Sequence, residues 1–423
     1  MAFFLFFFLK NTGNEIILSV ENRKNRKQTS KNKITKGQNN MSTLLKNCHL
    51  ISPDVDLDNA AILIEGEKIK RIFAPGDELP NADEVIDVQG DMVMPGFIDV
   101  HCHGRSGEDF CDATDNAITT MAVDKLKEGV TTLLPTTLTL AEETLAQALQ
   151  TAANYVKSGV KGCKLPGVHL EGPFINPKCL GAQNPDFVRK PDIDEVKRLN
   201  AIFPVKKVSF AIEMEGAPVF ASELLAEGIT PSCVHSAATF AQFNEGYNHG
   251  LVNLSHFCNQ MTALHHRDIG LVGAGLFYDD VYLEFICDTL HICPDMIRLV
   301  FQLKNIDHIQ LISDAMRAAG MPEGDYTLGG LPVIVKDGAA RLASNGALAG
   351  STLQICDALK NVYDITGYDL ADLVRTTSWN QARALGLDGL GKIAPGYFAD
   401  IVVLDGDFKV KKTFVNGELR YSA

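Results

Sequence analysis

The chain has 423 residues, of which 46% are hydrophobic and 22% charged, a globular composition that excludes general disorder. A formal charge of −13 excludes nucleic acid as the main partner, because binding it relies on clustered Lys and Arg. Ten Cys scattered from Cys48 to Cys356, with no CxxC pair, read as reduced, mostly buried thiols of a cytoplasmic protein rather than a disulfide framework.

Residues 1–40 stand apart. AFFLFFFL (2–9) is too short to span a bilayer, and the Lys-rich, Asn-rich stretch follows it, the reverse of a secretory signal. The segment reads as a disordered extension or a mis-assigned start, with translation beginning at Met41, and no membrane partner is expected. From Met41 short strands follow: TLLKNCHLIS, AAILIEGEKIKRIFA with a GE turn, and EVIDVQGDMVMPG. The C-terminal ADIVVLDGDFKVKKTFVNGELRY has the same character, with DG and NG marking hairpin turns. Residues 41–94 and 390–423 are therefore expected to form one small β-sandwich domain built from both termini.

Between them, 95–389 alternates. Apolar strand candidates at FIDVHCH, TTLLPT, LPGVHLEG, VSFAIEME, TPSCVHS, LVNLSHFCN, VYLEFICDT and HIQLISDA number eight, and most precede a plausible helix. The expected fold class is α/β, with a (β/α)8 TIM-type barrel. An open doubly wound sheet is the alternative, but no GxGxxG follows the first strand.

The polar residues sit at strand ends. His101 and His103 close the first strand, Glu171 the third, His235 the fifth, His256 the sixth and Asp314 the eighth, while His291 lies just beyond the seventh. In a barrel the strand C-termini converge on one face. A single His at a strand end is more often hydrogen-bonded structure than a ligand. Six of the eleven His, counting His169 in VHLEG, fall in these motifs, however, and their coincidence with Glu171 and Asp314 reverses that expectation. His49, His249, His265, His266 and His308 are taken as surface or structural. Cys102, between two candidate ligands, should be turned away by period-two alternation and serve packing. Imidazoles and carboxylates without Cys suit a divalent ion: zinc or iron, with manganese or cobalt also compatible.

PGFIDVHCHG (95–104) is similar to the first-strand metal motif of the amidohydrolase superfamily. GVHLEGPFINPKCLGAQNPDFVRKP (167–191), VHSAAT (234–239), SHFCNQM (255–261) and LISDAM (311–316) resemble the N-acetylglucosamine-6-phosphate deacetylases, over a stretch from about Leu44 to the C-terminus. The resemblance implies Glu171, His235 and His256 as metal ligands. His101 and His103 match the pair carried by members that bind a second metal, with Glu171 bridging, so one or two ions per subunit are implied. Asp314 aligns with the acid/base. Asn259, Gln260, Arg267 and His291 align with contacts to a small amino-sugar phosphate, the Arg reaching the neighbouring active site of a homodimer. Gln183 stands where single-metal members carry a His that polarises the substrate carbonyl; a loop Gln that simply packs is the alternative.

The implied activity is removal of the acetyl group of N-acetylglucosamine 6-phosphate, with Asp314 taking a proton from the attacking water and delivering it to the departing amine. Another N-acetylated sugar phosphate such as N-acetylgalactosamine 6-phosphate, another amide hydrolysis on the same machinery, or a non-catalytic barrel used as an assembly module are the alternatives. The chain departs from the family pattern at Asp288-Thr289-Leu290-His291, where Asp-Gly is usual before the His, at Cys258-Asn259-Gln260-Met261, and at His266-Arg267-Asp268-Ile269-Gly270, which places an acid beside the Arg.

Overall fold

The computed structural model describes residues 41–423, and the expectations for residues 1–40 lie outside the described residues. Eight parallel strands carry the middle of the chain: β1 (Phe97–Cys102), β2 (Val130–Pro135), β3 (Val168–Glu171), β4 (Val205–Phe210), β5 (Thr230–Cys233), β6 (Asn253–Leu254), β7 (Tyr282–Phe285) and β8 (Ile309–Leu311). They are buried almost throughout, as parallel strands covered on both faces must be. β3 to β8 form one sheet in chain order, and β1 pairs with β2. Single parallel bridges join Thr136 to His169 and Cys102 to Ala315, which set β2 beside β3 and β1 beside the end of β8.

Helices fill the connections, and local sequence accounts for them. Glu142–Ser158 buries Leu145, Ala148, Leu149 and Ala152, an i, i+3, i+4, i+7 stripe. Phe240–Asn248 starts in a capping box in which Thr239 and Gln242 each satisfy the other's backbone amide.

Chain ends meet in a second sheet. Ser42–Ser52, Val55–Glu65, Lys68–Phe73, Glu84–Asp87 and Met92–Pro95 combine with Ile401–Leu404, Val410–Val415 and Glu418–Ser422 into one eight-stranded network, joined where Val93 pairs with Val403 and Met94 with Val402. Alternation decides where each side chain goes: Val93, Ile401 and Val403 enter a core with Leu45, Ile62 and Phe414, while Met92, Met94, Val402 and Leu404 pack on the large core that also holds β1 to β8. The Asn416-Gly417 turn has φ of 51° and 74°, as a two-residue hairpin of that sequence requires.

A three-stranded antiparallel sheet between β8 and the later helices was not anticipated from the sequence: Gly324–Leu328, Leu331–Lys336 and Ala339–Leu342. Its turns are Gly329-Gly330 and Asp337-Gly338, all four residues at positive φ. Among the described residues, no helix is long and apolar enough to cross a membrane.

Candidate active site

Three of the strand-end residues lie in the left-handed backbone region: His235 at φ 45°, His256 at 34° and Asp314 at 47°. For residues other than glycine this conformation costs about 1–2 kcal/mol each, and such outliers cluster at functional sites. The kinks also explain why β6 is only two residues long, since His256 leaves the ladder directly after Ser255 donates to Cys233 O.

The result is a hollow centred on Glu171. Its Oε1 lies 3.3 Å from His101 Nε2, 3.5 Å from His235 Nε2 and 3.1 Å from His256 Nε2, and its Oε2 is 3.4 Å from His103 Nε2. Asp314 Oδ1 sits 3.5 Å from His101 Nε2 and 3.2 Å from His103 Nε2. All six side chains are buried, Asp314 the least so at 7% exposure. Burial alone would raise the Glu171 carboxyl, but His101, His235 and His256 hold it well below the usual carboxylate range. Asp314 is likewise held down against burial by His101 and His103.

Two sets of three donors could each hold an ion: His101, His103 and Glu171, and Glu171, His235 and His256, the donor atoms of each set lying within 4.8 Å of one another. Glu171 belongs to both. The fit to a divalent cation rests on the all-imidazole and carboxylate donors and on His101 Nε2, which is buried with no hydrogen-bond partner. Second ring nitrogens are mostly occupied: His103 Nδ1 lies 3.3 Å from Thr136 O, His235 Nδ1 2.7 Å from Cys179 O and His101 Nδ1 3.1 Å from Glu284 Oε2. Cys102 is fully buried with its thiol pushed up to about 12 by desolvation, which makes it packing, as alternation indicated.

A cavity of about 360 Å³ opens outward from this centre and is lined by His103, Glu171, Gln183, His235, His256, Asn259, Gln260, His291 and Asp314 among others. Gln183 has both ends of its amide engaged, Oε1 accepting from Thr139 N at 2.7 Å and Nε2 donating to Glu171 Oε2 at 2.7 Å. It therefore orients the shared carboxylate as well as lining the cavity. Asp288 accepts from the amides of Leu290 and His291 and from His291 Nδ1 at 2.6 Å, which ties down a loop whose Thr289 has φ of 65°. Arg267 is exposed, donates to His266 Nε2 at 2.8 Å and does not line this chain's cavity. Neighbouring Asp268 forms no ion pair with it among the described residues; its Oδ1 accepts from Phe240 N and Gly270 N.

Comparisons with known proteins match this architecture. Residues 332–420 fit the Amidohydrolase family model. An N-acetylglucosamine-6-phosphate deacetylase of Lysinibacillus sphaericus is 36% identical over 79% of this chain and 87% of its own. The chain belongs to that deacetylase family. An N-acetylgalactosamine-6-phosphate deacetylase of Escherichia coli O157:H7 is 38% identical over 79% of this chain and 89% of its own. The structure of a Mycobacterium smegmatis N-acetyl-D-glucosamine-6-phosphate deacetylase variant in complex with N-acetyl-D-glucosamine-6-phosphate superposes with a TM-score of 0.84 at 30% identity, covering 90% of this chain and all of that one.

Several residues around the deacetylase-family site were missed from the sequence. Arg341 and Leu328 reach the cavity from the three-stranded sheet and Ala347 from the turn that follows it, and Arg341 forms no ion pair among the described residues. The signal was present: Gly-Gly and Asp-Gly, each at two-residue hairpin length, announce that sheet. Lys207, Glu284 and His169 lie beneath the hollow. His169 stacks edge-on against His101 at 4.6 Å and is held by Ser209 Oγ at 2.6 Å.

Proposed function

We propose that the chain hydrolyses the acetamide of N-acetyl-D-glucosamine 6-phosphate to D-glucosamine 6-phosphate and acetate. The observation that carries the reading is one carboxylate, Glu171, shared by two buried donor sets with Asp314 against the same hollow. One or two divalent ions per subunit, zinc or iron by donor chemistry, would be held by His101, His103, Glu171, His235 and His256. An ion so held acidifies water towards neutral pH and draws electron density from a carbonyl oxygen. Asp314 takes the proton of the attacking water as the oxygen–carbon bond forms. It returns that proton to the sugar nitrogen as the carbon–nitrogen bond breaks, so that the amine leaves neutral. Gln183 keeps Glu171 in register for this.

Asn259, Gln260 and His291 receive the sugar phosphate, with Arg267 contributed by the other subunit of a homodimer. A guanidinium fork matches phosphate oxygens, and Arg267 lies outside its own cavity. We read the strands as a closed (β/α)8 barrel over 95–389, supported by the bridges Thr136 to His169 and Cys102 to Ala315, and 41–94 with 390–423 as a small β-sandwich domain. A cytoplasmic location agrees with ten free cysteines.

The test is acetate release, after reconstitution with zinc or iron, from N-acetylglucosamine 6-phosphate, its galactosamine epimer and both unphosphorylated sugars. The first should be the best substrate. Preference for the epimer would favour the second reading, which the E. coli O157:H7 relative supports, and release from none would sink both.

A further inference from the structure

Beneath the hollow lies a buried ion pair that no step above uses. Lys207 on β4 and Glu284 on β7 are each 2% exposed. The Lys207 ammonium lies against Glu284 Oε1, while Glu284 Oε2 faces His101 Nδ1 at 3.1 Å. A neutral imidazole carries one N–H, and an ionised carboxylate can only accept. The proton of His101 is therefore on Nδ1, and Nε2 presents its lone pair to the space between Glu171 Oε1 and Asp314 Oδ1.

The other three imidazoles of the hollow are held differently. His103 and His235 face backbone carbonyls through Nδ1, and His256 Nδ1 has no partner. Only His101 is backed by a carboxylate, the arrangement that fixes a ligand's tautomer and raises its basicity. A lone carboxylate there would be an uncompensated buried charge, and Lys207 compensates it. A buried pair of this kind seldom stabilises a fold more than apolar residues of equal volume would. Its presence under one particular ligand thus points to that ligand.

We propose that Lys207 and Glu284 are positioning residues that set His101 to receive an ion, and so make the His101–His103–Glu171 set an occupied second site beside Glu171–His235–His256. This rests on the metal-dependent reading above and assigns which residues make the chain a two-ion protein. The pair touches neither substrate nor reacting atoms; it acts through His101.

The test is ion content and affinity. Wild-type chain, Glu284→Gln and the double variant Lys207→Met with Glu284→Met are loaded with zinc, and each step of ion removal is followed by competition with a chromogenic chelator. Wild type should release two ions per subunit. Both variants should bind one of them about 10- to 100-fold more weakly, with the other unchanged. The Met pair removes acceptor and charge together, so thermal unfolding of its metal-free form should stay close to wild type, which separates loss of the ion from loss of the fold. Two ions held with wild-type affinity by both variants would overturn the proposal, as would a wild-type chain that takes up only one. Two-step release in the wild type without acetate release from any N-acetylated sugar would instead count against the proposed function and leave the ion assignment standing.

Discussion

At the inner end of the cavity, six side chains from five strand ends lie within a few ångströms of one another, all buried, all in one chain. At the outer end, Asn259 is half-buried, Gln260 and Arg341 are exposed, and Arg267 is absent from the cavity altogether. The inner end is held by backbone: strand termini aim the donors, and left-handed kinks at His235, His256 and Asp314 are sustained by the surrounding ladder. Loops hold the outer end through local hydrogen bonds, such as those Asp288 makes to its own turn. Reaction chemistry tolerates little displacement, whereas recognition of a sugar phosphate can be adjusted residue by residue. Relatives named for two different sugars are 36% and 38% identical to this chain.

The largest effect should come from emptying the inner end. Dialysis against a chelator should bring acetate release to background, and added zinc or iron should restore it; activity that survives with no detectable ion would break the division between the two ends. Next in size is Asp314→Asn, which keeps the volume but cannot accept the proton. It should lower kcat by about a hundredfold or more while KM and ion content stay near wild type. A change confined to KM would move Asp314 to the recognition end.

The same division sets what could be read from the sequence. Strand ends were legible because period-two apolar runs ending in HCH, HLEG, VHS, LSH and ISDA are local patterns, and the parallel strands then bring their ends together. Lys207 and Glu284 were not legible. They meet only through the fold, 77 positions apart, and the doublet Lys206-Lys207 lies just before the strand candidate VSFAIEME. Period two would have set Lys207 and Ser209 on one face, but nothing local says that this face is the interior one. Gln183 was expected either at the substrate or as a loop residue that packs, and its bonds to Thr139 N and Glu171 come from a loop whose course no periodicity describes. The three-stranded sheet was announced by its turns, yet its alternating strands lay inside a stretch read as strand–helix repeats, and Arg341 was overlooked with it.

The smallest of these effects also sharpens the comparison most, because two arginines compete for one role at the outer end. Arg267→Ala should lower kcat/KM for the phosphorylated sugar by roughly 10- to 100-fold, the worth of a charge-assisted hydrogen bond or two. It should leave the unphosphorylated sugar nearly unchanged, since no anion is then being held. Arg341, in the same chain as the cavity, gives up one N–H to Gly346 O at 3.0 Å and has its remaining donors uncommitted to any carboxylate among the described residues. Its replacement by Ala should cost the phosphorylated substrate only a few-fold, if the guanidinium across the subunit boundary carries the phosphate. Should the order reverse, with Arg341→Ala the more damaging and Arg267→Ala mild at every protein concentration, the phosphate is held within one chain. The outer end would then be as self-contained as the inner one, and a dimer would not be needed to complete the site.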